Sequence, residues 1–142
     1  MARAAILKAF LDTNILLYAV GINQGEESKQ RIAEDLIAPM DWHISVQVIQ
    51  EFFVNATRGG KKATLPDEAA LAFVALWRQR PVQDMTLTIF DDAAALHQRH
   101  GFSYWDSAII AAARAQGCDM LWTEDMDDGR IVDGIRIANP FR

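Results

Sequence analysis

Four acidic residues stand out, three of them because they end or interrupt an otherwise apolar or small-residue stretch. Asp12 closes the mostly apolar run Ile6 to Leu11, Glu51 sits within Val48-Ile49-Gln50-Glu51-Phe52-Phe53-Val54, Asp106 precedes Ser107-Ala108-Ile109-Ile110-Ala111-Ala112-Ala113, and Asp125 follows Leu121-Trp122-Thr123-Glu124. Oxygen donors without histidine or cysteine suit hard divalent cations such as Mg²⁺ and Mn²⁺, which retain several waters. Such a site lowers the pKa of a bound water and neutralises a crowded anionic transition state, which is what hydrolysis of a phosphodiester requires. The three histidines, His43, His97 and His100, show no metal-ligand spacing.

Each acid also has a plainer reading. Asp12 fits an N-cap, although Thr13 and Asn14 are equally able to cap the helix that follows. Gln47, Gln50 and Glu51 fall at i, i+3 and i+4 and form a polar stripe that would suit solvent. Ser103 and Asp106 read as a capping box. Glu124, Asp125, Asp127 and Asp128 make an acidic run that suits an exposed turn. A calcium loop with Gly129 as its turn glycine is excluded, since Met126 would occupy a ligand position.

The elements that must position these acids follow from punctuation and periodicity. A first strand over Ile6 to Leu11, apolar on both faces, ends at Asp12, and a short helix Ile15 to Val20 follows. Asn23 and Glu26 cap a helix that Pro39 terminates. Trp42 to Ser45 reads as a strand, and Val46 to Arg58 as a helix stopped by Gly59-Gly60. Thr64 and Asp67 box a helix that runs to about Arg80, before Pro81. Asp84 to Leu87 is the expected third strand, and Thr88 with Asp91 caps a helix ending near Gly101. A helix from Asp106 to Gln116 stops at Gly117. Asp119 to Trp122 is a strand, and Ile135 to Ala138 a last, peripheral one. Strands alternating with helices predict an α/β fold, a single domain over 1–142 with a central, mostly parallel sheet of four to five strands and helices on both faces. Ligands bind such sheets at the carboxyl ends of the strands, where Asp12 and Asp125 fall.

The chain has 142 residues, 51% of them hydrophobic and 23% charged, enough for a core without disulfides. Its one cysteine, Cys118, suits a buried place in a cytoplasmic protein. The apolar run before Asp12 is too short for a signal-peptide core, and no stretch reaches the ~18 apolar residues of a membrane span. The net charge of −5 runs against a nucleic-acid partner, unless acids concentrated at one site hold cations that reverse the sign there. Tyr104, Trp105 and Trp122 are of the type that stacks on bases, but their positions at helix and strand starts favour packing. Arg58, Lys61 and Lys62 around the glycine pair read as a solvated loop or as contacts to a phosphate backbone.

Phe10-Leu11-Asp12-Thr13-Asn14, Gln50-Glu51-Phe52, Trp105-Asp106-Ser107-Ala108-Ile109, Leu121-Trp122-Thr123-Glu124-Asp125-Met126 and the terminal Asn139-Pro140-Phe141, in that order and spacing, resemble the PIN-domain family. The similarity is to its VapC-like toxins of toxin–antitoxin pairs, and it spans nearly the whole chain. It implies a Mg²⁺- or Mn²⁺-dependent ribonuclease with Asp12, Glu51, Asp106 and Asp125 as its catalytic acids. Asp12, Asp106 and Asp125 would hold metal, Thr13, Asn14 and Thr123 would support them, and Asp127 would be peripheral. It further implies an RNA substrate, a VapB-like antitoxin, and a homodimer or hetero-oligomer. Two other readings compete. One is a catalytically silent PIN-type scaffold. The other is a phosphatase of the haloacid dehalogenase type, which needs a second Asp where this chain has Asn14.

Overall fold

A computed structural model describes residues 7–58 and 64–142. The expected start of the first strand at Ile6, the Gly59-Gly60 stop, Lys61 and Lys62 lie outside the described residues. In chain order the elements are β1 (Ala9–Leu11), α1 (Thr13–Ala19), α2 (Glu27–Ile37), β2 (Ile44–Ser45), α3 (Val46–Thr57), α4 (Asp67–Trp77), β3 (Val82–Gln83), α5 (Leu87–His100), α6 (Tyr104–Ala115), β4 (Met120–Trp122), β5 (Ile131–Val132) and β6 (Ile135–Ala138).

The main sheet has the order β1-β4-β6-β5, parallel except where β5 meets β6. A parallel pair β2–β3 joins it through a bridge between Phe10 and His43. Successive strand residues point to opposite faces, and Phe10 and Leu11 are both fully buried, so β1 is covered on both sides as its unbroken apolarity implied. α6 reaches β2, β3, β4 and β6. Its stretch Ala108 to Ala113 is buried throughout, and small side chains let the helix approach the sheet closely.

Under α3 and α4 lies an aromatic cluster. The Trp77 ring sits 4.7 Å from Phe52, 5.4 Å from Phe73 and 6.5 Å from Trp42. Phe52 and Trp77 therefore belong to the core. Cys118 is also buried, and burial followed by the Asp119 charge pushes its thiol up to about 12, which removes thiolate reactivity at neutral pH.

The structure corrects several sequence expectations. β6 is not peripheral, because it lies between β4 and β5. β5 was not foreseen, although Asp133-Gly134 supplies the two positive-φ residues of a tight hairpin (48° and 85°). The third strand falls at Val82–Gln83 instead of 84–87. Ile44 N–H donates to the Pro81 carbonyl at 3.2 Å, and Thr86 rather than Thr88 caps α5 through its hydroxyl to Ile89 N–H. Neither Asn23 nor Thr64 caps a helix. α2 and α4 start after Glu26 and Pro66 without a side-chain cap. The α4 helix ends at Trp77, followed by a turn before Pro81. No helix among the described residues is long and apolar enough to cross a membrane.

Candidate active site

Asp12 lies where β1 ends, and β1 is locked in register with β4. Leu11 pairs with Trp122, and Asp12 N–H donates to the Trp122 carbonyl at 3.0 Å. That ladder sets Thr123 beside Asp12, and the Thr123 hydroxyl donates to Asp12 Oδ2 at 2.7 Å. Asp12 Oδ1 accepts from Thr13 N–H at 2.7 Å, which makes Asp12 itself the N-cap of α1. The helix thus begins at Thr13, two residues before its expected start. Thr13 and Asn14 are released from capping to reach elsewhere. The Thr13 hydroxyl donates to Glu51 Oε1 at 2.9 Å, and Asn14 Nδ2 donates to Asp125 Oδ2 at 3.0 Å. Asn14 Oδ1 accepts from Glu124 N–H, and Thr123 Oγ1 from Asp125 N–H.

Glu51 comes from the middle of α3, whose N-cap is Ser45, and Asp106 from the first turn of α6, where the Ser103 hydroxyl accepts from Asp106 N–H. Asp12, Glu51, Asp106 and Asp125 line one cavity of about 330 Å³ together with Thr13 and Asn14. Thr123 stands behind it, fully buried. Asp127 does not line it. Its side chain is 70% exposed and pairs with Arg130 at 3.2 Å.

Several lining residues were not singled out from the sequence. Gln47, Glu51 and Asn55 follow one another at i, i+4 and i+8, a signal that was available. The expected solvent stripe of Gln47, Gln50 and Glu51 splits: Gln47 is buried and turns to the cavity, whereas Gln50 is exposed. Glu124 also lines the cavity, but both its oxygens are engaged by the Tyr18 hydroxyl and by Lys29 Nζ, each at 2.7 Å. Burial opposes the charge on Glu124, yet these two donors outweigh it and hold its carboxyl below the usual range. No sequence pattern linked Tyr18, Lys29 and Glu124.

Among the described residues the other cavity acids have no such cation. Burial pushes the Asp12 carboxyl up to about 7, against the hydrogen bonds from Thr123 and Thr13, and the charges of Glu51 and Asp125 add to the rise. Glu51 is raised by burial and then by Asp106 and Asp125, against hydrogen bonds from Thr13 and Gln47. Asp106 is raised by burial and by Asp125, against Ser103. Among the described residues no Lys or Arg lines this cavity. Like charges confined in a low-dielectric pocket repel, and the chemistry that relieves the repulsion is a multivalent cation.

Among the described residues, no three His, Cys, Asp or Glu side chains close into a compact cage. The all-oxygen donor set still fits Mg²⁺ or Mn²⁺, because Mg²⁺ is held through one or two carboxylates and keeps its remaining waters.

The fold and cavity define an α/β protein with a carboxylate site at the carboxyl ends of β1 and β4. The PIN domain family model matches residues 9–132, and the chain belongs to that family. Among solved structures, a toxin–antitoxin complex from Klebsiella pneumoniae is similar at 20% identity, covering 93% of this chain and 97% of that one, with TM-score 0.66. VapBC2 from Rickettsia felis, bound to a promoter DNA fragment, aligns at 20% identity over 94% and 98%, TM-score 0.61. Mycobacterium tuberculosis VapC20, a sarcin–ricin-loop-cleaving toxin, aligns at 23% identity over 84% and 91%, TM-score 0.62. At these identities the likeness is one of fold. Among curated proteins none matches the chain.

Proposed function

We propose that this chain is a metal-dependent endoribonuclease and the toxin of a VapBC-type toxin–antitoxin pair, acting in the cytoplasm. The observation that carries the reading is the meeting of Asp12, Glu51, Asp106 and Asp125, from four separate segments, in one cavity that no Lys or Arg lines among the described residues. Asp12, Asp106 and Asp125 would hold Mg²⁺ or Mn²⁺, directly or through water. The ion supplies an acidified water and charge neutralisation at the phosphate.

This chain's own residues do the rest. Glu51, fixed by the Thr13 hydroxyl, orients the attacking water and accepts its proton. Asn14 and Thr123 hold Asp125 and Asp12 against their mutual repulsion. In-line attack by water leaves a 5′-phosphate and a 3′-hydroxyl. The family match and the toxin–antitoxin structures sharing the fold support a VapB-like partner. An arginine or lysine of that antitoxin would enter beside Asp12 and Asp125, the arginine forming the bidentate pair a carboxylate cluster favours. A homodimer is the assembly expected for the free protein.

The test is cleavage of total cellular RNA by partner-free protein with Mn²⁺. Asp106→Asn should lower the rate at least about 100-fold, as loss of a metal carboxylate does. Asp127→Asn, outside the cavity, should cut like the parent. Equal loss in both variants, or cleavage that survives chelation, would refute the assignment. A folded parent that binds Mn²⁺ but cuts no RNA would point to the silent scaffold.

Thr123 gives a second handle. Its buried hydroxyl favours charged Asp12 and accepts from Asp125 N–H at 3.1 Å. Thr123→Val should cost about 1–3 kcal/mol, because it strands buried polar groups. It should also drive the Asp12 carboxyl further up. Metal requires the carboxylate, so calorimetric Mn²⁺ affinity should fall more at pH 6.5 than at pH 8.5. Thr123→Ser should restore it. An equal loss at both pH values would show that the hydroxyl does not act through Asp12.

A further inference from the structure

The Trp105 side chain contradicts the packing expected for it, since it is 63% exposed beside the cavity acid Asp106. Its main chain is tied to the cavity wall, because Gln47 Nε2 donates to the Trp105 carbonyl at 3.2 Å. Its ring meets Tyr104 edge-on at 5.1 Å, and Tyr104 in turn lies 5.7 Å from Phe90, which is 49% exposed. An aromatic strip therefore runs from α5 across the start of α6, where the next residue along the helix, Asp106, lines the cavity.

Exposing this much aromatic surface is unfavourable unless something covers it. Charge narrows what that is. The chain carries −5 overall, five carboxylates line the cavity and no Lys or Arg lines it among the described residues, so phosphate contacts to cationic side chains, the usual source of nucleic-acid affinity, are poorly supplied at the cavity wall. A polyanion held at such a site needs a non-ionic anchor, and every base has a π-face that stacks on an aromatic ring whatever its sequence.

We propose that Trp105, backed by Tyr104 and Phe90, is the stacking platform for an unpaired base next to the phosphate in the carboxylate cavity. This rests on the reading of that cavity as an RNA-cleaving site. Trp105 is then a binding residue that selects single-stranded RNA, with no part in metal binding.

The test uses the full chain carrying Glu51→Gln, so that RNA is not consumed, with Mn²⁺ and a fluorescent poly(A) RNA of about twelve nucleotides. Adding Trp105→Ala should weaken RNA binding about 5- to 100-fold, the range for loss of one base stack. Trp105→Phe should recover most of it, and Mn²⁺ affinity should be the same in all three proteins. RNA affinity within about twofold in the alanine variant would overturn the platform, and with Mn²⁺ bound and parent RNA cleavage intact it would leave the nuclease reading standing. If that variant instead loses self-association in sedimentation, the ring serves a protein interface and the proposal also fails. Absence of RNA binding by the Glu51→Gln parent, together with absence of cleavage by the unmodified chain, would overturn both readings.

Discussion

Asp12→Asn should abolish RNA cleavage and yet make the metal-free protein more stable, by up to about 4 kcal/mol at pH 8. The sign follows from the direction in which burial moves this carboxyl. Its folded value, about 7, lies above the 3.8 of an unperturbed side chain. Below pH 4 both states carry the proton and no penalty exists. Between pH 4 and 7 the folded state retains a proton that the unfolded chain has released, so stability falls as pH rises through that window. Above pH 7 the folded protein bears a buried charge and the full penalty. Asn never ionises, keeps the acceptor for Thr13 N–H, and turns an amide toward Thr123, so its advantage should grow from nearly nothing at pH 4 to its maximum at pH 8. Urea denaturation in EDTA at three pH values measures it. Saturating Mn²⁺ should stabilise the parent by about 2.7 kcal/mol at a hundredfold excess over its Kd, and the variant by much less. Equal stability of the two proteins at pH 8 without metal would mean that Asp12 carries no desolvation penalty.

The second large effect lies away from the chemistry. Trp77→Ala should cost about 3–5 kcal/mol, the usual loss for a buried aromatic, out of a total that for a domain of this size is about 5–15 kcal/mol. Trp77 is 1% exposed and is the ring shared by Phe52, Phe73 and Trp42. Phe52 adjoins Glu51 on α3, so a void at Trp77 loosens the helix that carries one of the cavity acids. The variant's urea midpoint should fall with little change in slope. A loss below about 1 kcal/mol would mean that the neighbouring rings collapse into the space.

Asp12 was legible because it ends an apolar run, where a charge costs too much without a purpose, whereas Glu51, Asp106 and Asp125 fitted a solvent stripe, a cap and an exposed turn equally well until the order of the motifs matched a family. Helix ends at Gly101 and the Ser103 cap were legible because their signals are local. The assignment of partners was not. Whether Thr13 caps a helix or grips Glu51 depends on a residue 38 positions away, and Asn14 finds Asp125 across 111. The same holds for the ion pair of Lys29 with Glu124, since their elements meet only in the folded chain. The Asp133-Gly134 hairpin is a different case. Its signal was local, but β5 has only two residues, too little alternation to draw notice.

The bond from Thr123 to Asp12 also fixes when the site can exist. Its partners lie 111 residues apart in the chain, and the β1–β4 ladder that aligns them pairs residues at the same long separation. A ribosome makes Asp12 long before Asp125, and a non-local strand pairing of this kind cannot form before both strands have emerged. Chains that stop short of Asp125 therefore lack the complete carboxylate set.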